Sequence, residues 1–142
     1  STVINSSEGV LYAEISALGD APTRVITIGD GTSNNRVQLY YDSSNILNGN
    51  VVNVGGQVTG FSYNGDSNTF NKVALKYKVN DFSFWVNGVK IAVDTNGLTP
   101  VGLNELTLDN GTGSGNFYGK VKSLQVYTTA LSDAELATLT TI

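Results

Sequence analysis

The feature that most constrains the fold is a long stretch of alternating apolar and polar residues, Lys72–Asp94, that contains one Asn-Gly pair. In KVALKYKV, which begins at Lys72, every second residue is apolar, as in a half-buried β-strand. Asn87-Gly88 separates DFSFWV from VKIAVD, and both residues tolerate the positive φ that a type I′ turn requires. The stretch therefore predicts a strand followed by a β-hairpin.

Similar runs cover most of the chain, and residues typical of turns separate them. Asn-Gly or Asp-Gly pairs predict turns at 30–31, 48–49, 64–65, 87–88, 96–97 and 110–111. The predicted strands are 9–17, 23–29, 35–42, 50–54, 57–63, 72–79, 81–87, 89–94, 103–109 and 116–128.

One helix is predicted, at the C-terminal end of the chain. In LSDAEL, Ser132 and Glu135 have the spacing of a capping box, and Leu131 and Leu136 occupy the hydrophobic-staple positions. Many short strands and one short helix predict an all-β, antiparallel two-sheet sandwich of the jelly-roll type. We expect one domain over residues 1–142, cut from a longer polypeptide because the chain starts at Ser1 without a methionine.

Composition excludes several kinds of chemistry. The chain has no Cys and no His, which excludes a Ser-His-Asp triad, a Cys nucleophile and a thiolate zinc site. A net charge of −4, with only 14% charged residues, argues against nucleic-acid binding. No apolar run approaches the roughly 20 residues of a membrane span, so membrane insertion is not expected.

Two stretches resemble laminin-G-like domains of the concanavalin A-like lectin/glucanase jelly rolls. Lys72–Asp94 is similar to their central hairpin, and Phe117–Leu136 (FYGKVKSLQVYTTALSDAEL) is similar to their closing strand and helix cap. Relatives include domains of phage tail or fibre proteins, carbohydrate-binding modules of polysaccharide-degrading enzymes, and adhesins. The resemblance implies surface recognition outside the cell, often of carbohydrate and sometimes with Ca²⁺.

The same superfamily contains glucanases, which place closely spaced acidic residues on one strand facing a cleft. Retaining hydrolysis needs two carboxyl groups about 5–5.5 Å apart. The four Glu residues are scattered, at positions 8, 14, 105 and 135, and no strand carries a closely spaced acidic set. We therefore expect no enzymatic activity.

Candidate ligand-binding residues follow from which face of a strand each side chain occupies. Trp85 alternates with Phe84 and Val86, so it lies on an outer face if those two fill the core. There it could stack on a sugar ring, or it could simply cover a loop or the C-terminal helix. Arg36, Gln38 and Tyr40 share the outward face of one strand and could form a glycan platform, or an ordinary solvated strand face.

Lys76 and Lys78 are further candidates, together with Lys72 and Lys90, because strand alternation places all four on one outward face. Such a basic surface would attract an anionic polysaccharide. The alternative is that these lysines serve solubility or protect a sheet edge.

Metal ligation is predicted from oxygen ligands alone. Asp30 and Asp109 lie at predicted turns, where carboxylate and carbonyl oxygens could hold Ca²⁺. The alternative is that each aspartate only forms its own turn.

Together these features predict a non-catalytic, lectin-like module that attaches a secreted or virion-surface protein to cell-surface or extracellular polysaccharide. The alternative is a structural domain of a virion or surface fibre, in which copies of the chain would form a homo-oligomer.

Overall fold

The computed structural model describes residues 4–19 and 22–142, and this part of the chain forms ten strands and one helix. The strands are β1 (Glu8–Ala17), β2 (Arg24–Gly29), β3 (Arg36–Tyr41), β4 (Leu47–Asn53), β5 (Gly56–Tyr63), β6 (Asn71–Lys78), β7 (Phe82–Val86), β8 (Val89–Asp94), β9 (Glu105–Thr107) and β10 (Gly119–Tyr127). The helix α1 spans Asp133–Thr140.

The strands form two antiparallel five-stranded sheets. The first sheet has the order β10-β1-β6-β7-β8, and the second has the order β5-β4-β3-β2-β9. This arrangement confirms the predicted β-sandwich with one short C-terminal helix. The helix is too short to cross a membrane, and no other helix occurs in the described ranges.

The core lies between the sheets and follows the alternation seen in the sequence. Val73, Leu75 and Tyr77 of β6 are fully buried on the inward face. They meet inward residues of the second sheet such as Ile26 and Leu39. The inward positions therefore form one apolar layer, and the positions between them form the two outer faces of the sandwich.

The predicted hairpin and helix cap are both confirmed. Asn87 and Gly88 have φ of 52° and 85°, as a type I′ turn requires. The Ser132 hydroxyl accepts a hydrogen bond from the Glu135 amide, and the Glu135 carboxylate accepts one from the Ser132 amide. Leu136 is fully buried against the outer face of the first sheet, so α1 covers part of that face.

The turn predicted at 48–49 is wrong, because Asn48 and Gly49 lie inside β4. A Cβ atom on Gly49 would lie 2.8 Å from a ring carbon of Phe84 in the opposite sheet. Glycine is therefore needed here for close packing between the sheets, and it does not mark a change of chain direction.

Several predicted strands are also longer than the observed ones, most clearly the ninth. Strand β9 ends at Thr107, and just beyond it the backbone carbonyl of Asp109 accepts a hydrogen bond from the Thr27 hydroxyl at 2.6 Å. The segment that follows turns across the outer face of the second sheet.

Candidate functional site

The outer face of the second sheet carries two adjoining depressions of about 350 and 210 Å³. They share Tyr40 and Asn50, so they form one continuous surface that we call the amide groove. Its long polar side chains come from three adjacent strands and are Arg36, Gln38, Tyr40, Asn48, Asn50 and Gln57. The combined volume of the two depressions is within the usual range for small-ligand sites.

Strand register arranges these side chains in two rows that run across the strands. In the first row, Thr27, Gln38, Asn50 and Gly60 lie opposite one another on β2 to β5. Gln38 Nε2 donates to Thr27 Oγ1 at 3.2 Å, and Asn50 Nδ2 donates to Gln38 Oε1 at 3.2 Å. Because each amide fixes the next, this row is a pre-organised set of hydrogen-bonding groups.

Gly60 ends the first row without a side chain, and the amide of Gln57 takes its place. A β-bulge between Val51 and Val52 shifts the register of β5, so that Gln57 pairs with Val52. A Cβ atom on Gly60 would lie only 2.5 Å from Gln57 Nε2, so the amide occupies the space that such a side chain would fill. The first row thus continues onto β5 through Gln57.

The second row consists of Val25, Tyr40, Asn48 and Ser62. Burial, and after it the negative charge of Asp42, raises the pKa of Tyr40 above its ordinary value. The phenol therefore keeps its proton at neutral pH and can donate a hydrogen bond. The half-buried ring adds an aromatic surface to a row that is otherwise polar or small.

The loop after β9 forms one wall of the groove. The backbone carbonyl of Asn110 accepts hydrogen bonds from Arg36 Nη1 at 2.8 Å and from Gln38 Nε2 at 3.3 Å. The Asn110 side chain accepts bonds from Thr112, and Gly111 has φ of 91°, so the turn itself is fixed. This loop orients Arg36 across the end of the groove.

Two polar atoms of the groove, Asn50 Oδ1 and Arg36 Nε, are enclosed and have no hydrogen-bond partner among residues 4–19 and 22–142. Most buried polar atoms in proteins are hydrogen-bonded. Because Asn50 Oδ1 is enclosed, a ligand donor can reach it only if the Asn50 side chain turns. The groove therefore has unused hydrogen-bonding capacity.

Three of the predicted ligand-binding residues meet in this groove. Arg36, Gln38 and Tyr40 lie on the outward face of β3 as expected, although Gln38 is only 4% exposed. Sequence reasoning missed Asn48, Asn50 and Gln57. The alternation of Asn48 and Asn50 is a signal for an outward polar face, but the Asn48-Gly49 pair is equally a signal for a turn.

Trp85 lies on an outer face, as strand alternation predicts, but it does not belong to the groove. It points to the outer face of the first sheet, where it packs against Leu136 and is only 5% exposed. Its Nε1 donates to Ser83 Oγ at 3.0 Å, and Lys90 lies over the ring. The helix therefore covers the indole and leaves no ring face for a sugar, as the alternative interpretation held.

The lysine face also differs from the expectation of an open basic surface. Lys76 is only 7% exposed and forms an ion pair with Asp81 at 2.6 Å. Lys78 lies 4.0 Å from Glu8, and Lys90 pairs with Asp133 at 2.7 Å. These lysines lie on the first sheet, away from the groove, and nearby carboxylates offset their charge.

Asp30 and Asp109, the predicted calcium ligands, each organise their own turn. Asp30 accepts hydrogen bonds from Thr32 and Asn35, and Asp109 accepts one from Gly111 at 2.7 Å. Desolvation would raise the pKa of Asp30, but these hydrogen bonds outweigh it and lower the pKa. Within the described ranges, no three His, Cys, Asp or Glu residues are grouped to hold a metal ion.

A separate depression of about 450 Å³ lies between β10 and α1. Tyr127, Leu131 and Leu139 give it an apolar lining, and its one charged side chain, Glu135, is engaged in the helix cap. It lacks the convergent polar groups that orient a hydroxylated ligand. The amide groove is therefore the stronger candidate site.

Sequence and structure comparisons agree with this architecture. The profile of the laminin G type (Laminin_G_3) within the Concanavalin A-like lectin/glucanases superfamily matches residues 11–137. A comparison with curated proteins gives no significant match.

Solved structures with the same fold include several sugar complexes. The CBM40 of the Ruminococcus gnavus IT-sialidase, bound to alpha2,3 sialyllactose, is 21% identical with a TM-score of 0.76, over 96% of this chain and 84% of that one. Domain 4 of AbnA, an extracellular arabinanase from Geobacillus stearothermophilus in complex with arabinotriose, is 16% identical with a TM-score of 0.71, over 96% and 68%. Mouse laminin alpha1 domains LG4-5 are 11% identical with a TM-score of 0.63, over 91% and 38%. At these identities the likeness shows the fold alone.

Proposed function

Because this chain belongs to the Concanavalin A-like lectin/glucanases superfamily, we propose that it is a non-catalytic carbohydrate-binding module whose amide groove holds the glycan. The observation that carries the proposal is the row of hydrogen-bonded amides beside Tyr40 on an outer face that α1 does not cover. No Asp or Glu lines the groove in the part of the chain that the structure describes.

The groove's chemistry suits hydroxyl groups. A sugar hydroxyl donates one hydrogen bond and accepts others, and a planar amide offers both a donor and an acceptor. Asn50 and Gln57 supply such amides. Gln38 offers only its Oε1 acceptor, because its Nε2 already donates to Thr27 and Asn110, and Tyr40 supplies an apolar ring edge with a phenolic donor. Because Gln38 is already held by Thr27 and Asn110, little side-chain entropy is lost when it binds a ligand.

The sugar complexes of the structural neighbours support the proposal, since those proteins are bound to sialyllactose and to arabinotriose. The setting that fits best is outside the cell, where the module would attach a larger protein to cell-surface or extracellular polysaccharide. A shallow groove of this size gives weak binding per site, so multivalency in the parent assembly would raise the avidity.

A glycan array with three proteins tests the proposal: the natural sequence, Tyr40→Ala and Tyr127→Ala. Both tyrosines are partly buried and lie on outer faces of opposite sheets, so Tyr127→Ala is a matched control. We expect specific glycan binding that Tyr40→Ala weakens at least tenfold, about 1.4 kcal/mol. Tyr127→Ala should leave it unchanged.

Absence of binding to every glycan would overturn the proposal. If the protein then forms species larger than a monomer in light scattering, the structural role in a virion or fibre would explain the fold better. Binding that is lost in Tyr127→Ala and kept in Tyr40→Ala would move the site to the depression beside α1.

A further inference from the structure

This inference rests on the proposed function and specifies its ligand. We infer that the amide groove binds an uncharged, linear oligosaccharide that lies across strands β2 to β5. The amide of Gln57, lying over Gly60, forms the subsite at its far end.

The charge distribution indicates an uncharged ligand. Among the described residues that line the groove, Arg36 is the only charged one, and its Nη1 donates to the Asn110 carbonyl. Asp42 directly follows β3, beside the second row, and its carboxylate accepts a hydrogen bond from Asn48 at 3.2 Å. An anionic sugar would therefore meet one partly engaged cation and a nearby carboxylate.

The lysines cannot supply the missing positive charge. All six belong to strands of the first sheet, on the far side of the core from the groove, and they are Lys72, Lys76, Lys78, Lys90, Lys120 and Lys122. Because these lysines lie on the opposite outer face of the sandwich, physiological salt largely screens their effect on a ligand in the groove.

The unused hydrogen-bonding capacity of the groove suits the hydroxyls of a sugar. Asn50 Oδ1 is an acceptor without a partner, and only a donor can satisfy it. Arg36 Nε, also without a partner in the described part of the chain, needs an acceptor, and a sugar hydroxyl can serve as either donor or acceptor. The neighbouring amide of Gln57 offers hydroxyls both a donor and an acceptor.

The length of the groove indicates more than one sugar unit. Its side chains come from β2, β3, β4 and β5, and three strand spacings make about 14 Å. A pyranose ring is about as long as one strand spacing, so about three linked rings would span the groove. The two cross-strand rows run in this same direction, so a linear chain can contact both.

The far end of the groove depends on a single glycine. Because Gly60 has no side chain, the Gln57 amide can lie over β5 and continue the first row. A methyl group on Gly60 would displace this amide. Both residues are exposed, so the change would spare the core, and we assign Gly60 as a positioning residue for Gln57.

Isothermal titration with oligosaccharide series tests the inference. The probes are linear gluco-, xylo-, manno- and arabino-oligosaccharides of one to six units, with 3′-sialyllactose and oligogalacturonate as anionic probes, each at low and high salt. We expect at least one neutral series to gain affinity up to about three units and then to level off, with no dependence on salt.

Three variants locate the far subsite. Gly60→Ala and Gln57→Ala should weaken binding of the trisaccharide about fivefold, the loss of one hydrogen bond, and leave the disaccharide unchanged. Gly56→Ala, in the same strand as Gly60, is the control, since a Cβ there makes only an ordinary contact, at 3.7 Å from the Asn53 carbonyl oxygen. Circular dichroism and melting temperature would confirm that all three variants stay folded.

The outcomes separate this inference from the proposed function. Tightest binding of an anionic probe with salt-dependent affinity, or affinity that does not rise beyond one sugar unit, would overturn the inference and keep the carbohydrate-binding role. Equal effects of Gly60→Ala on di- and trisaccharide would remove the far subsite. Absence of binding to every probe would overturn both.

Discussion

Gly49→Ala tests the packing on which the groove depends. Gly49 lies in the middle of β4, between Asn48 and Asn50, which face the groove. A Cβ atom there would lie 2.8 and 2.9 Å from two ring carbons of Phe84. Ordinary contacts between carbon atoms are about 3.5–4 Å, so the ring or the strand must move.

The magnitude follows from how firmly Phe84 is held. Its ring is fully buried and stacks on Phe61 with centroids 5.7 Å apart. Overpacking of such a core costs about 1–3 kcal/mol, and the reduced entropy of the unfolded chain on replacing Gly49 returns about 0.4–1 kcal/mol. We expect a net loss of about 1–2 kcal/mol, or about 3–6 °C in melting temperature for a domain of this size.

Urea denaturation and thermal melting would measure this loss, with Gly56→Ala as the control. Gly56→Ala should be neutral or slightly stabilising, because a Cβ there meets no close neighbour. In the background Phe84→Leu, which shortens the side chain opposite, the penalty for Gly49→Ala should shrink. Equal stability of Gly49→Ala and the natural sequence would refute the close approach and would favour a turn at this position.

Three further predictions concern Trp85, the helix cap and two aspartate turns. Trp85→Ala should lower the free energy of unfolding, measured by urea denaturation, by about 3–5 kcal/mol. It should leave the glycan affinity of the folded protein unchanged, because α1 covers the indole. A fully folded variant that has lost glycan affinity would contradict this. Ser132→Ala should remove the cap and cost about 1 kcal/mol in thermal unfolding. Hydrogen bonds from the Ser132 amide and hydroxyl lower the pKa of Glu135 below its ordinary value of 4.5. The capping box therefore stabilises the fold fully above pH 4.5, and its contribution is lost as the pH falls through the lowered pKa. Acid unfolding at the same pH in Ser132→Ala and the natural sequence would argue against this role of the cap. EDTA should leave the melting temperature unchanged, because Asp30 and Asp109 are hydrogen-bonded within their own turns; a rise with added Ca²⁺ would instead support a calcium site.

The parts of the fold that sequence reasoning predicted correctly are those set by local chemistry. The alternation in β6 places Val73, Leu75 and Tyr77 inward because successive side chains of a strand always point to opposite faces. The Asn87-Gly88 turn and the Ser132 cap each depend on residues within a few positions of one another. Such features need no knowledge of what packs against them.

The errors arose where one residue type serves two purposes. Asn-Gly favours turns, yet at Asn48-Gly49 the glycine admits the Phe84 ring and the asparagine faces the groove. Strand alternation put Trp85 on an outer face correctly, but only the tertiary fold shows that Leu136 covers it. Whether an outward residue is accessible depends on distant parts of the chain.

The groove could be predicted only in part from the sequence, because some of its residues are brought together by distant parts of the chain. Arg36, Gln38 and Tyr40 belong to one strand, so alternation alone groups them. Gln57 and Asn110 reach the groove through a β-bulge and through a loop that crosses the sheet, and neither is visible as a local pattern. Strand register, set by the whole sheet, completes the site.

The most direct test of the central claim is a nuclear magnetic resonance titration that follows the side-chain amide signals of the natural protein as a binding glycan is added. We predict that the signals of Gln38, Asn48, Asn50 and Gln57 shift together and saturate with one affinity. Tyr40→Ala should shift the same curve to higher glycan concentration. Shifts confined to residues around Tyr127 and Leu139, with the groove amides unchanged, would contradict the account.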